Sequence, residues 1–164
     1  MAPGFTVASV LNPMWSNRNT CQPTETPLEC EFRLHRPSLA IISMETWWSG
    51  APASDYENSL RQIVEFSISR GVVPILATKA DNLEGDGSLN AAIVRVAQSY
   101  DVPLWNFWLA VQPLPSQGLR SDAFHLTFGR PIFDDPAQMQ KAWPWRNLTA
   151  LQALDAVWRG VQTP

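Results

Sequence analysis

Three short apolar runs, separated by two stretches of helical periodicity, constrain this chain more than any other feature. Residues 38–44 (SLAIISM), 72–78 (VVPILAT) and 102–108 (VPLWNFW) are too brief for helices and rich in β-branched or aromatic side chains, so each reads as a buried strand. Between the first two, residues 54–70 place Tyr56, Leu60, Ile63, Val64 and Ile68 on one helical face. Ser54 and Glu57 there have the spacing of a capping box, and Gly71 supplies the stop. Between the second and third, residues 88–100 repeat the pattern with Leu89, Ile93, Val96, Ala97 and Tyr100, until Asp101 and Pro103 break it. Such alternation requires right-handed crossovers and a parallel sheet covered on both faces, which is why the runs are continuously apolar. The fold class is α/β.

Residues 147–161 form a last amphipathic segment. Leu148, Leu151, Leu154, Trp158 and Val161 fall on one face that should dock on the sheet, with Asn147 as N-cap. Residues 1–37 differ: they are proline-rich, hold both cysteines and read mostly as loop, with only residues 5–11 (FTVASVL) strand-like. A chain of 164 residues suits one compact domain, so 38–164 is the α/β domain and 1–37 its loop-rich leading segment. Twelve basic against fifteen acidic residues leave a net charge of -3, with no positive surplus to condense on a phosphate backbone, which argues against nucleic acid as a partner. No apolar run approaches the ~20 residues a membrane-spanning helix needs. The N-terminus has neither the basic nor the continuous apolar region of a secretory signal. Cys21 and Cys30 read as two thiols or one short-loop staple, and no histidine pair follows them in zinc-binding register. His35, among Arg33, Arg36 and Pro37, reads as an exposed loop residue.

Ligands of open parallel sheets bind beyond the carboxyl ends of the strands. The segments that leave those ends are residues 45–50 (ETWWSG), 79–86 (KADNLEGD) and 109–125. The last contains Asp122-Ala-Phe-His125, a carboxylate three positions before a histidine. In one turn, positions i and i+3 share a side, so Asp122 can hold one ring nitrogen of His125 and leave the other toward a substrate. An imidazole held in that way is a general base that takes a proton from a hydroxyl and returns it to a leaving alcohol. The tetrapeptide alone is common. Asp81, Asn82, Glu84 and Asp86 offer oxygen ligands of the kind a hard cation takes, but they lack the EF-hand register and read first as solvated loop residues and helix caps. Trp105 reads as core, whereas Trp143 and Trp145, flanking Pro144, read as a loop covering the base of the last helix.

The helix at 56–70, the strands VVPILAT and VPLWNFW, and the block Ser121-Asp122-Ala-Phe-His125-Leu-Thr127 together resemble the SGNH (GDSL-type) hydrolase superfamily over about residues 37–161. The resemblance implies a flavodoxin-like three-layer α/β/α sandwich and carboxylic ester hydrolysis by a Ser-His-Asp triad, with His125 as acid and base and Asp122 as its orienter. It implies no metal or other cofactor. Two family blocks depart. No Gly-Asp-Ser nucleophile motif is present, and Ser9, Ser16 and Ser38 lack its context. Where the family has Gly-x-Asn-Asp the register gives Glu45-Thr46-Trp47-Trp48. The expectation is therefore a sheet incomplete on its N-terminal side, residues 5–11 as a remnant strand, an unpaired edge on the 38–44 strand, and very low activity for this chain alone. Thr46, Trp47, Trp48, Lys79 and Asn82 are the expected substrate contacts, and the substrate a small ester, an acetylated carbohydrate or a lipid. The family's frequent export, with Cys21 and Cys30, points to an extracytoplasmic location. The alternative is a non-catalytic truncated or degenerate α/β domain that binds carbohydrate or a protein partner.

Overall fold

The computed structural model describes residues 5–44 and 51–162. Three parallel strands, β1 (Leu39–Ile42), β2 (Val73–Ala77) and β3 (Leu104–Trp105), form an open sheet in the order β1-β2-β3. The register runs Leu39↔Val73 to Ile42↔Leu76, then Leu76↔Leu104 and Ala77↔Trp105. The middle strand tolerates Pro74 because alternate amides serve opposite neighbours. Val73 N–H donates to Ser38 at 3.0 Å, whereas Leu76 N–H and Thr78 N–H donate toward β3. Pro74 lies in the second set, before β3 begins, where no donor is required.

Helices α2 (Ala53–Ser69) and α3 (Ser88–Tyr100) pack against each other on one face of the sheet, where Tyr56, Leu60, Ile63, Val64, Ile93 and Val96 enclose Ile42 and Leu76. Helices α4 (Phe107–Val111) and α5 (Ala142–Gln162) cover the other face, where Ile75, Ala77 and Trp105 meet Phe107, Val111 and Ala142. Helix, sheet and helix make the three layers of an α/β sandwich, and the alternation of Ile75, Leu76 and Ala77 between the two cores follows from the two-residue period of a strand. Among the described residues β1 pairs with β2 alone, and Ile41 remains 39% exposed.

Several sequence expectations need correction. Residues 5–11 do not form a strand: Ser9 to Leu11 is a 3-10 turn, closed by Ser9 N–H on the Thr6 carbonyl and by Thr6 N–H on Ser9 Oγ at 2.9 Å. A serine offering both groups to its own turn outcompetes pairing with a distant strand. Residues 27–35 are not loop but helix α1 (Pro27–His35), started by Pro27 at the first position and a Thr26/Glu29 capping box, and carrying His35 in its last turn. The Ser54/Glu57 capping box is absent because α2 begins at Ala53 on Pro52. Glu57 instead bridges Arg61 (2.6 Å) and Arg95 (2.7 Å), and these two hydrogen bonds, Arg95 foremost, hold its carboxyl below the usual range. The run VPLWNFW gives only a two-residue strand, because Asn106 Oδ1 accepts from Leu109 N–H and starts α4.

The last helix also differs. It begins at Ala142, whose N–H donates to Thr127 Oγ1 at 2.9 Å, so Asn147 lies inside the helix, and Pro144 sits in the first turn where its missing donor is harmless. Trp143 and Trp145 belong to that turn rather than to a loop. The docking face is Trp145, Ala150, Ala153, Leu154 and Val157, while Leu151, Trp158 and Val161 stay exposed. Buried Trp105 sets this rotation: its indole N–H requires an acceptor and finds Thr149 Oγ1 at 3.0 Å.

At the leading end Cys21 and Cys30 are joined in a disulfide, which ties residues 17–26 to α1. Arg36, which ends α1, takes the left-handed conformation (φ 43°, ψ 56°), a strained choice for a residue with a Cβ and more so before Pro37.

Candidate functional site

The segment after α4 folds back on itself as a tight loop. Gly118, at φ 74°, is buried where a Cβ would come within 2.7 Å of Ala142, so glycine is required by both conformation and space. Thr127 N–H and Oγ1 donate to the Gly118 carbonyl, Leu119 bridges Leu126, and Arg120 N–H donates to the His125 carbonyl at 2.8 Å. This clamp presents residues 121–125 as a turn, with Ala123 left-handed at its apex.

Within the turn Asp122 is fully committed. Its Oδ1 accepts from the backbone N–H groups of Phe124 (3.1 Å) and His125 (2.9 Å), and its Oδ2 lies 2.9 Å from His125 Nδ1. The His125 backbone N–H, then its ring, then the Phe124 N–H hold the Asp122 carboxyl well below the usual carboxylate range. An ionised carboxylate only accepts, so Nδ1 carries the proton in this contact and Nε2 is the nitrogen left for another partner. Phe124 meets the imidazole edge-on, ring centroids 4.8 Å apart. The imidazole is 62% exposed.

His125 opens onto a cleft of about 540 Å3 at the carboxyl end of β1, where Ser43 and Met44 follow the strand. Phe5, Phe124, Leu126, Phe128 and Trp143 supply apolar walls, and Arg120 and Arg146 supply positive charge. Arg146 donates to Ser43 Oγ at 3.1 Å and its guanidinium lies near the Trp105 and Trp143 rings, 5.9 and 5.6 Å from their centroids. Among the described residues no hydroxyl is hydrogen-bonded to the His125 ring.

Of the expected substrate contacts, Thr46, Trp47 and Trp48 lie outside the described residues. Lys79 and Asn82 do not line this cleft. The Lys79 side chain is 4% exposed, and its Nζ sits 2.9 Å from Asp81 Oδ1 and 2.6 Å from Glu84 Oε2, so its charge is spent in a buried cluster. Asp81 and Glu84 are thus not solvated loop residues. Asn82 Oδ1 instead accepts from Gly87 N–H at 2.8 Å, and Asp86 from Ser88 N–H at 2.9 Å, which ties the loop to the start of α3. The one group of possible metal ligands among the described residues, Cys21, Glu25 and Cys30, has both sulfurs in the disulfide and therefore no thiolate to offer.

Sequence reasoning missed Ser43, Arg120, Phe124, Phe128, Trp143 and Arg146 as cleft residues. Ser43 carried a signal in its place at the end of a strand run and Phe124 in its place inside the Asp122–His125 turn; the others come together through the loop and the first turns of α5. No family model matches this chain, and no curated protein matches it.

Proposed function

We propose that this chain carries the base and its orienter, His125 and Asp122, of an SGNH-type ester hydrolase. The observation that carries the reading is the 2.9 Å contact between Asp122 and His125 Nδ1, made by an exposed imidazole at the edge of a cleft beyond the strand ends. In this role His125 Nε2 takes the proton of a hydroxyl as that oxygen bonds to the ester carbonyl carbon, then delivers it to the departing alkoxide as the carbonyl re-forms. Asp122 keeps the ring in the required tautomer and offsets the charge that develops on it. The apolar walls suit an ester with a hydrocarbon or aromatic body, whether a small ester, an acetylated carbohydrate or a lipid. The disulfide suits an oxidising, extracytoplasmic space.

A second reading, a non-catalytic binding domain for carbohydrate or a protein partner, is favoured by one observation: no described hydroxyl is paired with the imidazole. Without an activated nucleophile a triad loses on the order of 10⁶ in turnover. Hydrolysis of p-nitrophenyl acetate separates the two. The hydrolase reading expects slow turnover that falls at least tenfold in His125→Ala and several-fold in Asp122→Asn, with no fluorophosphonate label on the chain. Turnover indifferent to His125→Ala would leave only the binding domain.

A further inference from the structure

A second cleft, of about 690 Å3, lies at the opposite end of the sheet, where the carboxyl ends of α1 and α2 meet the amino ends of β1 and β2. Its charges divide into those paired with another side chain or backbone group and those without a carboxylate partner. Arg33 makes a two-pronged pair with Glu25, through Nε to Oε1 and Nη2 to Oε2, and also donates to the Thr20 carbonyl. Glu29 is held by the Thr26 backbone and hydroxyl in the capping box. Both lining carboxylates are therefore satisfied. Arg36 and Arg70, in contrast, have no carboxylate partner among the described residues. Phe66 and Phe32 line the same cleft and stand edge to face, centroids 5.3 Å apart, with the Arg70 guanidinium 5.0 Å from the Phe66 centroid.

The backbone at this end of the sheet is strained as well. Helices α1 and α2 both end in a left-handed residue, and α2 uses the unstrained solution, Gly71 at φ 72°. Helix α1 places Arg36 in that conformation, immediately before a proline that pushes its predecessor toward extended backbone. Glycine would relieve the strain and remove the guanidinium from the cleft. Strain retained beside a cavity is how binding sites depart from the most stable local choice. The negative ends of both helix dipoles help hold the two cations in place. Guanidinium groups match carboxylates in planar, paired hydrogen bonds, and the phenyl rings offer an apolar surface next to them.

From this arrangement we infer that the cleft binds a small organic carboxylate with a planar apolar body, its carboxylate between Arg36 and Arg70 and its body against Phe32 and Phe66. The experiment is an NMR titration of the full chain with benzoate, with acetate and benzyl alcohol as the anion-only and ring-only probes. Benzoate is expected to shift the amides of Arg36, Ser38, Phe66 and Gly71 and to bind at least five-fold more tightly than either control. Arg36→Gly is expected to raise the thermal midpoint while weakening benzoate at least ten-fold; Arg70→Gln weakens it similarly, and Arg159→Gln leaves it unchanged. Benzyl alcohol binding as tightly as benzoate, benzoate affinity unchanged in Arg36→Gly and Arg70→Gln, or no shifts at these amides would each overturn the assignment.

Discussion

At the scale of single residues, Asp122 illustrates how a local motif sets its own electrostatics. Two backbone N–H groups and an imidazole favour its charged form in the folded chain, so its folded pKa lies below the 3.8 of an unconstrained aspartate. The unfolded chain therefore binds the proton more readily. The stabilisation is fully present above the unfolded value and is lost as pH falls through that value toward the folded one. A carboxyl-carbon titration should show Asp122 ionised at pH 4 and protonating only well below it; a midpoint near 4 would mean that the turn does not hold the carboxylate. Lys79 is the opposite case, a charge placed where water cannot reach it. Replacing it with Met leaves Asp81 and Glu84 facing each other without a counter-ion, and removing one member of a buried ion pair costs about 3–5 kcal/mol. Urea unfolding of Lys79→Met measures this, and a loss under about 1 kcal/mol would show that water solvates the cluster. The sequence made Asp122 and His125 legible because their contact spans three positions. It concealed Lys79, because the burial of a polar-looking loop depends on what the rest of the fold lays over it.

At the scale of elements, the loop bearing His125 depends on an anchor outside the motif. Gly118 is held against Val111, Leu114 and Ala142, and its carbonyl receives both groups of Thr127. Gly118→Ala combines an unfavourable φ with a 2.7 Å approach to the Ala142 Cβ, so a loss of about 2–3 kcal/mol is expected, together with altered Phe124 and His125 amide shifts. A variant that left both unchanged would detach the loop geometry from this contact. The disulfide acts similarly on the leading segment. It closes a loop over a sequence separation of 9, for which the chain-entropy relation gives about 2.5–3 kcal/mol. Cys21→Ser with Cys30→Ser should lower stability by up to that amount and speed hydrogen exchange first in residues 17–26. Helix periods and the βαβ rhythm were readable because each element buries a repeating face. The ends were not, since α4 starts on the Asn106 side chain and α5 is rotated by a bond from Trp105 to a residue 44 positions away.

At the scale of the whole molecule, the sheet is enclosed unevenly. The apolar run of β1 resembles that of β2, and both were readable as strands of a parallel sheet with helices on each face. Their burial was not readable, because it depends on how many strands lie beyond β1 and how far α5 extends across it. Ile41 and Ile75 are register partners on the same face, yet Ile75 is fully buried and Ile41 is 39% exposed. Among the described residues β1 pairs with β2 alone, and Ser43 and Met44 follow it in the wall of the cleft that holds His125. The register pair turns this asymmetry into a measurement. Ile75→Ala empties space in a closed core and should cost about 2–5 kcal/mol, whereas Ile41→Ala removes a side chain already in contact with water and should cost under about 1.5 kcal/mol. Equal losses would mean that β1 is covered in solution, and the uneven enclosure would then have to be abandoned.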